Sequence, residues 1–218
     1  MLEPLSEAVK RGAHVVCFNP LKERGLERFQ HPQSPMEMLT NESEPTNSAY
    51  FRPALGGDMA AIRGMAKFLL QWDREAQEKG KPAVLDHAFI QQQTHGMDDY
   101  FAEIDNTPWD LIESQSGLSL AEIEMAAKIY CKADRVIMCW AMGVTQHLHS
   151  VPTVQEIVNL QLLRGNIGRP GAGLSPVRGH SNVQGDRTMG IDEQPPEWLL
   201  DAIEQRFDFK VPREHGHT

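Results

Sequence analysis

The residues best suited to chemistry lie late in the chain, in Pro176-Val-Arg178-Gly179-His180-Ser-Asn182. Arg178, His180 and Asn182 are donors spaced along a segment that glycines keep from being regular structure. Arg169 and Gln184 flank them within the same glycine-punctuated stretch, 165–185, and Arg164 stands just before it. Arginine and amide groups on an ordered loop suit an anionic ligand that takes many hydrogen bonds. A long surface loop with turn glycines and solvated arginines has the same composition, and spacing alone leaves both readings open.

Three shorter segments upstream carry ligand-facing signals. Asn19-Pro20, with Lys22 close behind, ends an apolar run at the point where a Rossmann-like sheet presents residues to a nucleotide. An acid there often holds a ribose, and Asn19 can bond a hydroxyl without bringing charge. Asn-Pro is also a common turn opener. Gly56-Gly57-Asp58 is a backbone-freeing turn whose acid can cap the helix that follows, or accept both N–H groups of a guanine edge. Met142-Gly143-Val-Thr-Gln146 interrupts a strand-to-helix passage with a glycine, where an α/β sheet lets a ligand approach the backbone.

The elements that position these segments follow from apolar periodicity. Residues 2–11 form a short helix closed by Gly12. Arg135–Trp140 is an apolar run expected as a strand buried on both faces, and His14–Phe18 is expected as a buried strand. Residues 59–75 make an amphipathic helix with Met59, Ile62, Met65, Ala66, Leu69 and Leu70 on one side. Residues 86–105 are helical with a break at Gly96. Pro108 opens another helix, and Ser119 with Glu122 forms a capping box before Ile123, Ala126, Ala127 and Tyr130. Thr153 with Glu156 reads as a second capping box. Pro195-Pro196 starts a last helix carrying Trp198, Leu199, Ala202 and Ile203. Residues 31–49 read as a polar excursion. Helices separated by few strands imply an α/β fold with an incomplete parallel sheet.

Composition sets the outer limits. The chain has 218 residues, 40% hydrophobic content and a net charge of −9, which disfavours nucleic-acid and anionic-membrane partners. No apolar run is long enough for a membrane span, and the expected location is cytoplasmic. Cys17, Cys131 and Cys139 form no CxxC pair, so neither zinc nor an iron–sulfur cluster is held by them alone, and all three are expected as buried free thiols. His147 and His149 are spare candidates near the Met142 turn. Glu214, His215 and His217 are spaced as a conceivable metal group at a chain end that otherwise reads as frayed.

The pattern MGVTQH…LLRGNIGRPGAG…PVRGHSNVQG…MG resembles the molybdopterin oxidoreductases, the bis-molybdopterin guanine dinucleotide enzymes related to formate dehydrogenase, and is most similar to formate dehydrogenase-like alpha subunits. The resemblance implies a three-layer Rossmann-like parallel sheet with flanking helices, as in the third domain of formate dehydrogenase and DMSO reductase. It would lack its first β-α unit and occupy residues 1–180, with 181–218 starting a return to a neighbouring domain. It implies Arg178 as the active-site arginine, with His180 standing where the best-known formate dehydrogenases have glutamine. Met142, Gly143 and Gln146 match the turn against the pterin, Gly56, Gly57 and Asp58 the guanine side, and Asn19 and Lys22 the strand-end loop. Gly179 and Asn182 join them as cofactor-side residues.

The implied cofactor is molybdenum with bis-molybdopterin guanine dinucleotide. A 4Fe-4S cluster and the molybdenum ligand would belong to parts of a parent subunit outside this central fragment, so the isolated chain is expected to be inactive. The implied partners are the remaining domains of that subunit and a formate-like small molecule, and exposed domain faces can make the fragment self-associate. Two other classes stand beside this one. An NAD-dependent module would carry a GxGxxG after its first strand, which is absent. A non-catalytic scaffold would tolerate exchange of Asp58, Gln146 and Arg178.

Overall fold

The structure is a computed structural model that describes residues 2–29, 43–180, 182–191 and 195–214. The described chain forms two compact units, Met1–Val177 and Arg178–Thr218.

The first unit begins with helix α1 (Leu2–Lys10), which Gly12 closes at φ +90° by donating its N–H to the Val9 carbonyl at 2.9 Å. Strand β1 (Val16–Phe18) leads through the short α2 (Arg24–Glu27) into β2 (Arg28–Phe29), which pairs antiparallel with β3 (Glu44–Pro45). Strand β4 (Ala49–Phe51) returns parallel to β1, with Val16 opposite Ala49 and Phe18 opposite Phe51.

Helix α3 (Asp58–Glu78) is the beam on which the unit is built. Its buried stripe of Ala61, Ile62, Met65, Ala66, Leu69 and Leu70 follows the expected 3.6-residue period. Around it come α4 (His87–Gln93), α5 (Met97–Asn106), α6 (Trp109–Ser116) and α7 (Leu120–Lys132). Then follow β5 (Ile137–Trp140), the single turn α8 (Met142–Thr145), α9 (Ser150–Leu163) and β6 (Gly173–Pro176), which lies parallel to β5. Helix α3 packs on α6, α7 and α9. Gly64 allows the first two contacts, because a Cβ there would sit 2.9 Å from methyl carbons of both Ile112 and Ile123. Each fully buried Leu or Ile in this core, such as Leu69, Ile104, Ile123 and Leu160, contributes about 2 kcal/mol. The breaks at Gly96 and Gly117 have positive φ, and the Ser119–Glu122 capping box forms with both of its bonds.

Buried polar groups fasten the helices. Glu156 on α9 is only 4% exposed, and it receives Arg63 Nε at 2.9 Å and the Tyr100 hydroxyl at 2.7 Å, while Arg63 also reaches Glu103 at 2.7 Å. Burial pushes the Tyr100 phenol well up, and the Glu156 charge adds to that. Lys67 gives its three N–H donors to the carbonyls of Ile104, Asp105 and Thr107, at and just beyond the C-terminus of α5. Desolvation lowers the Lys67 pKa, with the Asp105 charge opposing. Asp73, also buried, accepts from the amides of Val84 and Leu85 and from Gln77 and His87, which pins the 84–87 turn to α3.

Several expectations are corrected. Asp58 does not cap α3: the N-cap position falls on Gly57, and Asp58 is the first helical residue, with no side-chain cap bond. Thr153 does not cap α9 either. The helix starts at Ser150, and the Thr153 hydroxyl donates back to the His149 carbonyl at 2.7 Å, while Glu156 serves Arg63. Strand β5 is not buried on both faces; its residues alternate between exposed and half-buried, so one face stays open. Cys139 on that face is exposed, and Cys17 and Cys131 are half-buried. In place of one continuous layer, the described strands pair as three two-stranded sheets, two of them parallel, within a mixed α/β unit.

The second unit contains α10 (Val183–Thr188) and α11 (Glu197–Phe207), which starts after Pro196 as expected and ends at Asp208 in a left-handed conformation. Arg213 holds this unit's acidic face together through Glu197, Asp201 and Glu204. Trp198 is largely exposed. Most of the 31–49 excursion, and His215 and His217, lie outside the described residues. Among the described residues no helix is long and apolar enough to cross a membrane, and no group of three or more His, Cys, Asp or Glu side chains is arranged to hold a metal ion.

Candidate functional site

The sequence-chosen residues of the first unit share one topological position: each follows the C-terminal end of a parallel strand. Asn19 and Lys22 follow β1, Gly56, Gly57 and Asp58 follow β4, and Met142, Gly143 and Gln146 follow β5. This is the edge at which open α/β sheets receive ligands. Val16, Phe18, Met138, Trp140 and Leu174 anchor the strands to one core, so the loops beyond them project from a common support.

The loop after β1 is tightly fixed. Asn19 Oδ1 accepts the Leu21 amide at 3.1 Å, and its Nδ2 donates to Glu23 Oε2 at 2.5 Å. From β4, the Tyr50 hydroxyl donates to the Leu21 carbonyl at 2.5 Å, and beyond β4 Arg52 Nε donates to that of Pro20 at 3.3 Å. Lys22 is paired with Glu27 at 3.1 Å. Both sequence candidates of this loop therefore have partners within it.

In the turn after β4, Gly56 needs its positive φ of +77°, and a Cβ on it would meet nothing. Gly57 is required by packing, because a Cβ would lie 2.7 Å from the Gln115 carbonyl oxygen and 2.8 Å from that of Ser116. Burial raises the Asp58 carboxyl above its ordinary range, against its own backbone amide and the His147 imidazole, which both act to lower it. The Nε2 of His147 is itself buried and makes no hydrogen bond among the described residues. Gly143 differs from the other glycines of the rim: it has no positive φ, and a Cβ on it would meet nothing within 4 Å. Neither backbone geometry nor packing among the described residues demands a glycine there. Leu55 is 90% exposed and Leu148 91%, and Leu21 and Met142 are exposed beside the same loops.

The donors read in and just before the 165–185 stretch divide. Arg164 donates to the carbonyls of Val84, Cys131 and Ala133, closing the C-terminus of α7. Arg169 donates to the Asp134 carbonyl and to Asn166 Oδ1. Gln161 spans the two strands, giving Nε2 to the carbonyls of Val136 and Gly173 and taking the Tyr130 hydroxyl on Oε1. Burial pushes the Tyr130 phenol far up. These arginines are therefore framework, contrary to the ligand reading. A signal was present: Gln161 lies four residues after Ile157 on the buried face of α9, where a polar group must find internal partners.

In the second unit Arg178, Gly179 and His180 are exposed. Gly179, like Gly143, has no positive φ and open space at its Cβ position. The Asn182 side chain lies against Gly185 on its own helix.

No family model matches the chain. Among curated proteins it is 49% identical over all 218 residues to protein YdeP of Escherichia coli K12, and 42% identical over 216 residues to an uncharacterized oxidoreductase of Mycobacterium tuberculosis. Formate dehydrogenase H of Escherichia coli is 40% identical over 105 residues, which is 48% of this chain and 15% of that enzyme. The chain belongs to the molybdopterin oxidoreductase family. It spans only 29% of YdeP and 27% of the mycobacterial oxidoreductase. In fold it is similar to acetylene hydratase from Pelobacter acetylenicus, with a TM-score of 0.59 over 78% of this chain and 19% of that one, at 17% identity.

Proposed function

We propose that the first unit holds the guanine dinucleotide part of a molybdopterin cofactor for a formate dehydrogenase-like oxidoreductase, its two parallel strand pairs being parts of one Rossmann-like sheet. The observation that carries this reading is Gly143. It is a glycine that the chain's own packing does not require, at a strand end where a ligand needs close approach to the backbone. The donor chemistry around it fits the group. The Asp58 carboxylate accepts no hydrogen bond from another residue's side chain among the described residues, and so is available to two N–H donors of a guanine edge. Met142, Gly143 and Gln146 would lie on the pterin side, and Gly56, Gly57 and Asp58 on the guanine side.

When bound, the molybdenum–pterin group supplies two-electron redox chemistry. The chain's part is to bind, orient and stabilise charge. Arg178 would hold a formate-like carboxylate with two parallel hydrogen bonds and stabilise charge as the C–H bond breaks. His180, Gly179 and Asn182 would flank it. The whole protein's remaining domains would cover the exposed Leu21, Leu55, Met142 and Leu148, and the chain alone would self-associate through them.

The deciding experiment is metal and nucleotide analysis of the full-length protein, followed by formate oxidation. Molybdenum with extractable guanine nucleotide is expected, and Arg178→Ala should lower kcat/KM by about a hundredfold. A full-length protein without metal or pterin would leave a scaffold.

A further inference from the structure

We infer that Glu23, rather than Asn19, is the residue that takes the ribose hydroxyls of the nucleotide at the end of β1. The inference rests on the cofactor reading given above and adds the sugar-recognising group to it.

The strand-end position itself holds Asn19, and both ends of that amide are already engaged: Oδ1 accepts the Leu21 amide, and one N–H of Nδ2 goes to Glu23. A residue with its acceptor and its donor engaged is poorly placed to meet a sugar. What Asn19 does is hold a carboxylate. The Glu23 side chain is exposed, its Oε2 is fixed by Asn19, and Oε1 has no partner among the described residues. The Glu23 amide donates to the Tyr50 hydroxyl at 3.4 Å, and that hydroxyl in turn donates to the Leu21 carbonyl. The loop is thus tied to β4 on both sides of Lys22, and Arg52 adds a third tie at Pro20. Lys22, the other candidate cation for a phosphate, is paired with Glu27.

The chemistry selects the sugar. A carboxylate is an acceptor only, so it repels phosphate, whereas two vicinal hydroxyls offer it two donors. Acids at strand ends of nucleotide-binding sheets meet ribose in this way. Here the acid stands four residues beyond the strand-end position, and the amide in that position orients it.

The test is calorimetric titration of the chain with three probes: guanosine diphosphate, its 2′,3′-dideoxy analogue, and inosine diphosphate, which lacks the guanine 2-amino group. The wild-type chain should prefer guanosine diphosphate to the dideoxy analogue by about tenfold, the worth of a charge-assisted hydrogen bond. Glu23→Gln should bring that ratio close to one while leaving the preference over inosine diphosphate unchanged. Glu27→Gln, which removes the neighbouring acid already paired with Lys22, should leave both ratios as they are. The inference is overturned if Glu23→Gln keeps the ribose preference, if it removes the guanine preference instead, or if Glu27→Gln erases the ribose preference equally. Failure of the wild-type chain to distinguish guanosine from inosine diphosphate would overturn the cofactor reading itself, a separate result from loss of the ribose assignment alone.

Discussion

The interior of the first unit and its strand-end rim use the same residue types to opposite ends. Around α3, Gly64 is glycine because two isoleucine methyls occupy the space of a Cβ, and Glu156, Lys67, Asp73 and Gln161 are buried with their hydrogen-bonding capacity engaged. On the rim, among the described residues, Gly143 has open space, His147 Nε2 is buried without a partner, and Leu55 and Leu148 stand in solvent. A self-contained core closes its polar accounts; an edge that receives something leaves them open.

The sharpest way to break this comparison is to cut the interior network. Glu156→Ala removes the acceptor of Arg63 and Tyr100 and should cost about 3 kcal/mol in denaturant unfolding. A cost near zero would show that the network is not an interior support. Next is the glycine pair. Gly57→Ala drives a methyl onto two carbonyl oxygens and should destabilise by about 2 kcal/mol, whereas Gly143→Ala should change stability by less than about 0.5 kcal/mol while weakening nucleotide binding. Equal losses of stability would erase the distinction between the two glycines. Arg164→Ala strips the end of α7 of its side-chain donor and should cost about 1.5 kcal/mol, read as a lower unfolding midpoint.

The smallest expected effect is in the pH dependence of Asp58. Its folded-state pKa is raised by burial above 3.8, so folding is penalised once the carboxyl ionises. Below the unfolded-state value both states are protonated and there is no penalty. The penalty grows as pH rises through the window up to the folded-state pKa and is constant above it. Asp58→Asn should therefore raise the melting temperature modestly at pH 7 and leave it unchanged at pH 3. A variant that lost stability at pH 7 would show instead that the ionised carboxylate is favoured in the folded state despite its burial.

Much of the helical frame was legible in the sequence. The stripe from Met59 to Leu70, the break at Gly96, the Ser119–Glu122 box and the Pro196 start all depend on neighbours within one helical turn, where local rules hold. The failures share a cause. Thr153–Glu156 has the spacing of a capping box, but Glu156 is claimed by Arg63, which lies far away in sequence. Arg164 and Arg169 have the composition of an anion site, but the carbonyls at the end of α7 and beyond it claim them. A sequence displays donors and does not display the carbonyls that will consume them.

What the sequence determined by itself is the set of local elements, the positions of the turns that follow the strands, and the motif pattern that marks the family. What only the tertiary structure decided is which polar residues are spent and which are open. Asn19 and Glu23 look equally available along the chain, and only the meeting of the β1 loop with Tyr50 and Arg52 of the neighbouring strand's end makes one the holder and the other the group held out. Periodicity and capping act over one helical turn. Hydrogen-bond satisfaction acts between segments that meet only when the chain is folded.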